Sequence, residues 1–457
     1  MTTGTDTLPP TAAAPRPLGT PAVRVLRPGW PLAALFVPYP LWWVLGLGTL
    51  VVFPLAAVMV VHLSRRRPLR VPPGFGLWLL FLVWVALSTT MLGRDPAGTL
   101  PGEAAERVVS VAFNLSGYTA VAVVLLYVGN LTEAEYPRSR LVRHLGWLFA
   151  VVVAGGLLGT VAPTFEFTSP LEWLLPRSVA GNPFVQSLVH PAAAQVQEAL
   201  GFVSGRPAAP FGYTNVWGYA FSLLVGFFVV GWLGRPGPRR LAGLGILALG
   251  VVPVVYSLNR GVWIGLGAAL LLSVLWLARN GNLAGVVVLA VGLGLAAPVA
   301  AVSPLTEVVA MRLDNPHSDG IRSFTISRTL EVAQDSPVLG FGSTRRALGS
   351  GQSIAVGRDD ECGKCGNPAL GSTGQLWLVV IAQGFVGAGL YVSFLLRSAW
   401  AYRRDRSGPG WAGMLAVLLS LLYMFLYNAL VIPLLITFVA IGLLWRNDQA
   451  ARAEALR

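Results

Sequence analysis

The feature that leaves this chain the fewest ways to fold is a succession of apolar runs, each close to the length of a bilayer crossing. They lie near residues 74 to 92, 107 to 129, 144 to 162, 212 to 234, 241 to 257, 261 to 278, 283 to 302, 374 to 396, 411 to 427 and 431 to 445. A run of about 20 apolar residues spans hydrocarbon as a helix, because a helix satisfies its own backbone where no water can. Charged residues make up only 12% of the chain, against about a quarter in a soluble domain. A soluble fold is therefore excluded, and the chain is expected to be an all-α, polytopic integral membrane protein.

Residues 29 to 63 form a further apolar block, interrupted by Pro38 and Pro40. It is long for one untilted helix and short for two. Arginines decide the reading: Arg16, Arg24 and Arg27 precede the block, and Arg65, Arg66, Arg67 and Arg70 follow it. Both flanks belong on the cytoplasmic side, so the block should cross twice, giving about 12 transmembrane helices. With the amino terminus inside, the cytoplasmic segments collect 21 of the 33 Lys and Arg residues. The net charge of +13 is thereby explained by membrane orientation, and no nucleic-acid partner is implied.

This topology gives residues 1 to 28 as a disordered cytoplasmic tail, 29 to 446 as the transmembrane domain and 447 to 457 as a second cytoplasmic tail. Residues 1 to 28 are rich in Pro, Thr and Ala, and no short apolar core with a small-residue cleavage site precedes the first span. Cytoplasmic connections are short, whereas two extracytoplasmic loops are long, at 163 to 211 and 303 to 373. Loops of that length are usually functional or disordered. Chemistry is therefore sought there. Phe165, Phe167, Trp173, Leu174, Leu175 and Phe184 suit the first loop to the membrane surface or to covering a cavity.

The sequence has no GxxxxGK and no HExxH, so ATP-driven transport on this chain and a zinc site of that type are not expected. A reaction on the outer face needs a substrate that brings its own leaving group. Four segments bear on it. FGYTNVWGYAFSLLVGF places Asn215 at the outer mouth of one span, and YSLNRGVWIGLGAALLL places Arg260 at the start of another. DGIRSFTISRTLEVAQDSPVLGFGS sets Arg322 fifteen residues before a Pro-Val-Leu-Gly-Phe-Gly turn, and GSTGQLWLVVIAQGFVGAGLYVSFLL opens the next span.

In this order the segments resemble the O-antigen ligase and polymerase superfamily of bacterial cell-envelope glycan assembly, over roughly residues 205 to 400. The resemblance implies a glycosyltransferase on the outer face of the cytoplasmic membrane, with a polyprenyl-diphosphate-linked glycan as donor and a glycan or lipid as acceptor. Arg260 falls on the second residue of the family's Ser-Arg pair, here Asn259-Arg260, and Arg322 falls on the Arg before the PxxGxG turn. Family ligases carry a His-Asn pair just before the next helix, where this chain reads Gly371-Ser372-Thr373-Gly374-Gln375. If a general base exists, Asp319, Glu331, Asp335 and His317 are its candidates. The candidate site is accordingly Arg260, Arg322 and Asp319 at the chemistry, with Arg328, Arg345, Asn215 and Gln375 toward substrate, and no metal or other cofactor.

Arginine suits such a task on physical grounds. A departing diphosphate gains negative charge, and a guanidinium meets it with paired hydrogen bonds while staying charged when desolvated. Blander readings stand beside these. Arg260 snorkels as readily as it catalyses, Arg328 lies six residues from Arg322 on nearly the opposite side of a helix, and Arg345 with Arg346 reads as a solvated pair. Asn215 suits a cap or a helix-helix hydrogen bond. His190 and His317 stand isolated in sequence. Cys362 and Cys365 favour one local disulfide over a zinc site, for which two further ligands are missing. A lipid-glycan flippase or transporter, and a non-catalytic envelope-assembly scaffold, remain as alternatives in other classes.

Overall fold

A computed structural model describes residues 28–198, 203–234, 237–287, 317–348 and 367–456, with short pieces at 289–290 and 309–310. The tail through residue 27, Cys362 and Cys365, and most of the 283 to 302 run lie outside the described residues. What is described is mostly helical. Each apolar run among the described residues coincides with a helix, because a segment apolar on all sides has no polar face to solvate and buries itself as helix.

The first block folds as α1 (Trp30–Phe36), α2 (Tyr39–Val44) and α3 (Val52–Ser64). Its two ends meet at one residue: the Gly29 amide donates to the Tyr127 hydroxyl at 3.1 Å, and His62 stacks on the Tyr127 ring. The block therefore runs out and returns. Next come α4 (Phe75–Ser88), α5 (Ala104–Asn130) and α6 (Arg138–Val161). The first long loop holds three short helices, α7 (Pro170–Leu174), α8 (Arg177–Ala180) and α9 (Pro183–Val189). It also holds an antiparallel hairpin of β1 (Ala194–Glu198) and β2 (Val203–Pro207), pairing Ala194 with Pro207. This hairpin is the one departure among the described residues from the all-α expectation.

Then follow α10 (Thr214–Phe228), α11 (Pro238–Tyr256), α12 (Arg260–Arg279), α13 (His317–Ala333), α14 (Gln375–Tyr402), α15 (Gly408–Tyr423) and α16 (Ile432–Ala455). Six of the described helices are long and apolar enough to cross a membrane: α5, α6, α11, α12, α14, and α10 with its π-helical extension to Leu233. The expected tail after Trp445 begins as a helix, since α16 continues to Ala455. From Ile432 to Arg446 every residue of α16 is buried. It is the axis of the bundle, packed by α5, α10 and α15. Trp78 of α4, wholly buried, joins the core beside Phe438, Phe394 and Tyr391. At the periphery, only 22% of the most apolar window of α11 and 17% of that of α12 is buried, so these two helices offer most of their surface to lipid.

The second long loop is joined to the bundle through a helix break. At Gly384, φ 67° and ψ −176° interrupt α14, which frees backbone groups that a helix would otherwise pair. The turn after α13 fills them: the amides of Phe341 and Gly342 donate to the carbonyls of Ile381 and Ala382 at 2.9 and 2.8 Å, and Phe385 N donates to Pro337 O at 2.7 Å. Trp84 Nε1 clips both sides, donating to Val338 O and Gln383 O at 2.9 and 3.1 Å. Contact is that of backbone on backbone. A Cβ at Gly340, φ 68°, would lie 2.5 Å from Ala382 C and Gly384 N, and one at Gly384 would lie 2.5 Å from Val338 O.

Gly384→Ala must therefore open the seam between loop and helix, at roughly 2 kcal/mol or more. Gly389→Ala, on the same helix with nothing within 4 Å of the added methyl, provides the comparison. In detergent-solubilised protein followed by thermal aggregation, the first variant should melt several degrees below wild type and the second should match it. Equal melting of the two would remove the seam from the account of this fold.

Candidate functional site

At the end of the bundle where α10 and α12 begin, the two helices pack closely enough that a Cβ at Gly218 would meet Val262 Cγ2 at 2.1 Å. Three polar side chains run across this mouth as one chain. The Tyr427 hydroxyl donates to Asn259 Oδ1, and Asn259 Nδ2 donates to Asn215 Oδ1 at 3.0 Å. Asn215 thus bonds to the neighbouring helix. The glycines of the RGVWIGLG segment make room for two tyrosines, one at the end of α15 and one just beyond it: Gly261 seats the Tyr427 hydroxyl, Gly265 seats that of Tyr423, and an added Cβ would fall 2.1 and 1.8 Å from those oxygens. Tyr423 also donates to Ser222 Oγ at 2.7 Å.

Arginines reach this mouth from separate parts of the chain. Arg260 is the first residue of α12, half-buried beside Asn259. Arg322, on α13, donates to the Leu426 carbonyl at 3.4 Å. Arg206, which no motif had singled out, enters from β2 and donates through Nε to the Ser257 carbonyl at 2.7 Å. Its own carbonyl accepts from Thr214 Oγ1 at 3.1 Å, fastening the hairpin to the start of α10. The charges of Arg322 and Arg206 both act on the Tyr427 hydroxyl. The corner between α11 and α12 holds Leu258 at φ 52°, a left-handed conformation that costs a bulky residue about 1–2 kcal/mol. Such strain persists where surrounding contacts impose it, commonly at working sites.

The other expected site residues are placed differently. Arg328 turns away from the mouth, donating to Ala97 O at 3.3 Å and pairing with Glu331 at 2.5 Å. It lies across the helix from Arg322, as their six-residue separation requires. Gln375 is wholly buried behind the mouth: Nε2 donates to the Tyr118 hydroxyl at 2.7 Å and Oε1 accepts from Ala429 N at 2.9 Å. It braces the 424 to 430 segment that carries Tyr427. Among the alternative bases, Glu331 is engaged by Arg328 and Asp335 is exposed beyond the end of α13. Asp319 and His317 lie in the first turn of α13, their side chains outside the described set. Thr373 Oγ1 and Asn428 Oδ1, in the two segments that meet around Gln375, are buried with no hydrogen-bond partner among the described residues. Buried polar atoms of that kind mark places for a ligand group or an ordered water.

Arg345 is not half of a solvated pair. Arg346 is exposed, but Arg345 is only 2% exposed and donates to the carbonyls of Phe341, Leu92 and Arg94 at 3.0, 3.2 and 2.9 Å, and to Ser343 Oγ at 2.8 Å. Burial, with the Arg107 charge nearby, lowers its pKa to about 10, against the opposing pull of Asp95. It is still charged at neutral pH and ties the turn after α13 to the segment after α4. His190, isolated in sequence, sits between acids in the first loop, with Nδ1 2.8 Å from Glu172 and Nε2 3.9 Å from Glu166.

Comparison of the chain with protein-family models, with curated proteins and with solved structures finds no match in any of the three.

Partial burial would raise the carboxyl of Asp95, but hydrogen bonds from Arg107 and from the Gly102 amide, with the charges of Arg107 and Arg345, outweigh it and hold the group below the ordinary carboxylate range. A carboxylate depressed in the folded state stabilises it above the unfolded pKa, about 3.9, and that stabilisation is lost as pH falls through the folded value. Thermal stability of the wild type should therefore fall from about pH 4 downward more steeply than that of Asp95→Asn. Parallel profiles would mean that the Asp95 contacts do not stabilise the fold.

Proposed function

We propose that this chain is a membrane glycosyltransferase that moves a glycan from a polyprenyl-diphosphate carrier to an acceptor hydroxyl at the outer face of the cytoplasmic membrane, as a ligase or polymerase. One observation carries this reading: Arg206, Arg260 and Arg322 come from three distant segments to one mouth of an otherwise apolar bundle, around the Tyr427–Asn259–Asn215 chain. A set of cations held by the fold meets charge developing on a departing diphosphate without reorganising, which lowers the barrier most at the transition state. The electrons of the breaking glycosidic bond leave with the diphosphate oxygen, and the acceptor oxygen bonds to the anomeric carbon as its proton passes to a base or to water. A lipid tail suits the exposed sides of α11 and α12. Asn428 Oδ1 is a carbonyl acceptor of the kind that orients sugar hydroxyls.

Purified protein in neutral lipid nanodiscs, given a polyprenyl-diphosphate disaccharide and an acceptor glycan, should release polyprenyl diphosphate in step with product. Arg260→Ala and Arg322→Ala should lower the rate at least a hundredfold, of the order found on removing one preorganised donor, with thermal profiles unchanged. Arg322→Lys should recover only part of it, since a point charge replaces the fork. Wild-type turnover in both alanine variants would sink the site assignment. Movement of the intact lipid across the bilayer without release would favour a flippase.

A further inference from the structure

The two ends of α12 carry different kinds of site. Arg260 opens the helix at the mouth, and Arg279 closes it 19 residues later, about 28 Å away at 1.5 Å per residue. At that second end lies a cavity of about 530 Å³ between α12 and the start of α15, floored by the 403 to 406 turn. Four arginines line it: Arg279, Arg403, Arg404 and Arg406. The one carboxylate among them, Asp405, is occupied by its own turn, accepting from Ser407 N at 2.9 Å, from Ser407 Oγ at 2.7 Å and from Asn447 Nδ2 at 2.7 Å. The opposite wall is apolar, made by Leu272, Leu275, Met414 and Leu418. Trp276 and Trp411 close it with ring centroids 5.6 Å apart, and both indole N–H groups are buried without an acceptor among the described residues.

What leads to the cavity identifies its occupant. Ile264, Leu271 and Leu275 are 58, 59 and 55% exposed and recur at the spacing of one helix face, and Arg279 continues that face one turn further on. An apolar stripe ending in a cationic cup is complementary to an amphiphile with hydrocarbon chains and an anionic head. We propose that this cavity binds the phosphate head of an anionic phospholipid, with its acyl chains along the outer face of α12. The arginines give the guanidinium-phosphate pairing, and basic pockets between spans at the arginine-rich face of a membrane protein are suited to such heads. Phosphatidylcholine adds to its phosphate a trimethylammonium group that the arginines repel. This site is separate from the mouth at Arg260 and does not rest on the glycosyltransferase reading.

The test uses the full chain in neutral detergent, offered phosphatidylglycerol and phosphatidylcholine of matched acyl length in equal amounts, with retained lipid read by native mass spectrometry. Wild type should keep phosphatidylglycerol roughly tenfold over phosphatidylcholine, and Arg279→Gln/Arg404→Gln/Arg406→Gln should bring the ratio near one. Arg397→Gln, an exposed arginine outside the cavity, should leave the preference intact. Because the triple variant removes three charges, the single variant Arg404→Gln is measured as well and should lower the ratio with an unchanged thermal profile. Equal retention of the two lipids by wild type overturns the proposal, as does an unchanged ratio in both glutamine variants or an equal loss in Arg397→Gln. Displacement of the lipid by millimolar inorganic phosphate would also overturn it, identifying a site for the free anion.

Discussion

The contact on which the rest of the mouth depends is the backbone seam between the turn after α13 and the break in α14. A helix interrupted inside an apolar environment must have its carbonyls and amides met by something other than water. Here the 336 to 342 turn meets them, and two glycines let the chains approach to a distance that no side chain permits. From this seam α13 takes its position, and from α13 Arg322 takes its place beside Leu426. Arg345 fixes the other side of the same turn to the segment after α4. A long polar loop thereby becomes part of a rigid bundle, which matters because a charged side chain positions substrate only as well as its backbone is held.

The mouth itself is built by the same economy of small residues. Gly218, Gly261 and Gly265 bring α10, α12 and α15 into contact, and tyrosine hydroxyls occupy the space that side chains would have taken. Each of these hydroxyls has a partner, so the polar chain from Tyr427 to Asn215 can be buried without an unmet donor. The arginines sit around a fixed polar framework, with Gln375 behind it holding the Tyr427 segment from the interior. Just before α14, Thr373 Oγ1 is buried without a hydrogen-bond partner among the described residues, and Gln375 is the brace.

Much of this was legible in the residues and some was not, for physical reasons. Apolar runs report helices because burial on all sides leaves a long continuous signal; the arginines flanking residues 29 to 63 led to an expected double crossing, of which the fold shows only that both ends of the block meet at Tyr127. Arg322 and Arg328 could be assigned to opposite sides of a helix from spacing alone. Arg206 could not be found, because a strand residue reaching Ser257 fifty-one positions away leaves no local pattern. Arg345 misled for a related reason: a guanidinium beside glycines reads as solvated, and only the folded loop supplies the carbonyls that allow its burial. The Gly-Phe-Gly turn and the Gln-Gly-Phe-Val-Gly stretch were each visible, but their meeting is a long-range fact.

The sparse burial of α12 gives the membrane itself a part in the geometry. A helix held mainly by lipid along its flank settles by matching its apolar length to the surrounding hydrocarbon, through tilt when the bilayer is thin and by standing upright when it is thick. The mouth end of α12 is fastened through Asn259 to Tyr427 and Asn215, so a change in thickness is taken up as tilt of the helix about that end. Arg260 then keeps its place beside Asn259, while the height of Arg279 at the far end is set jointly by the polypeptide and by the bilayer in which it is embedded.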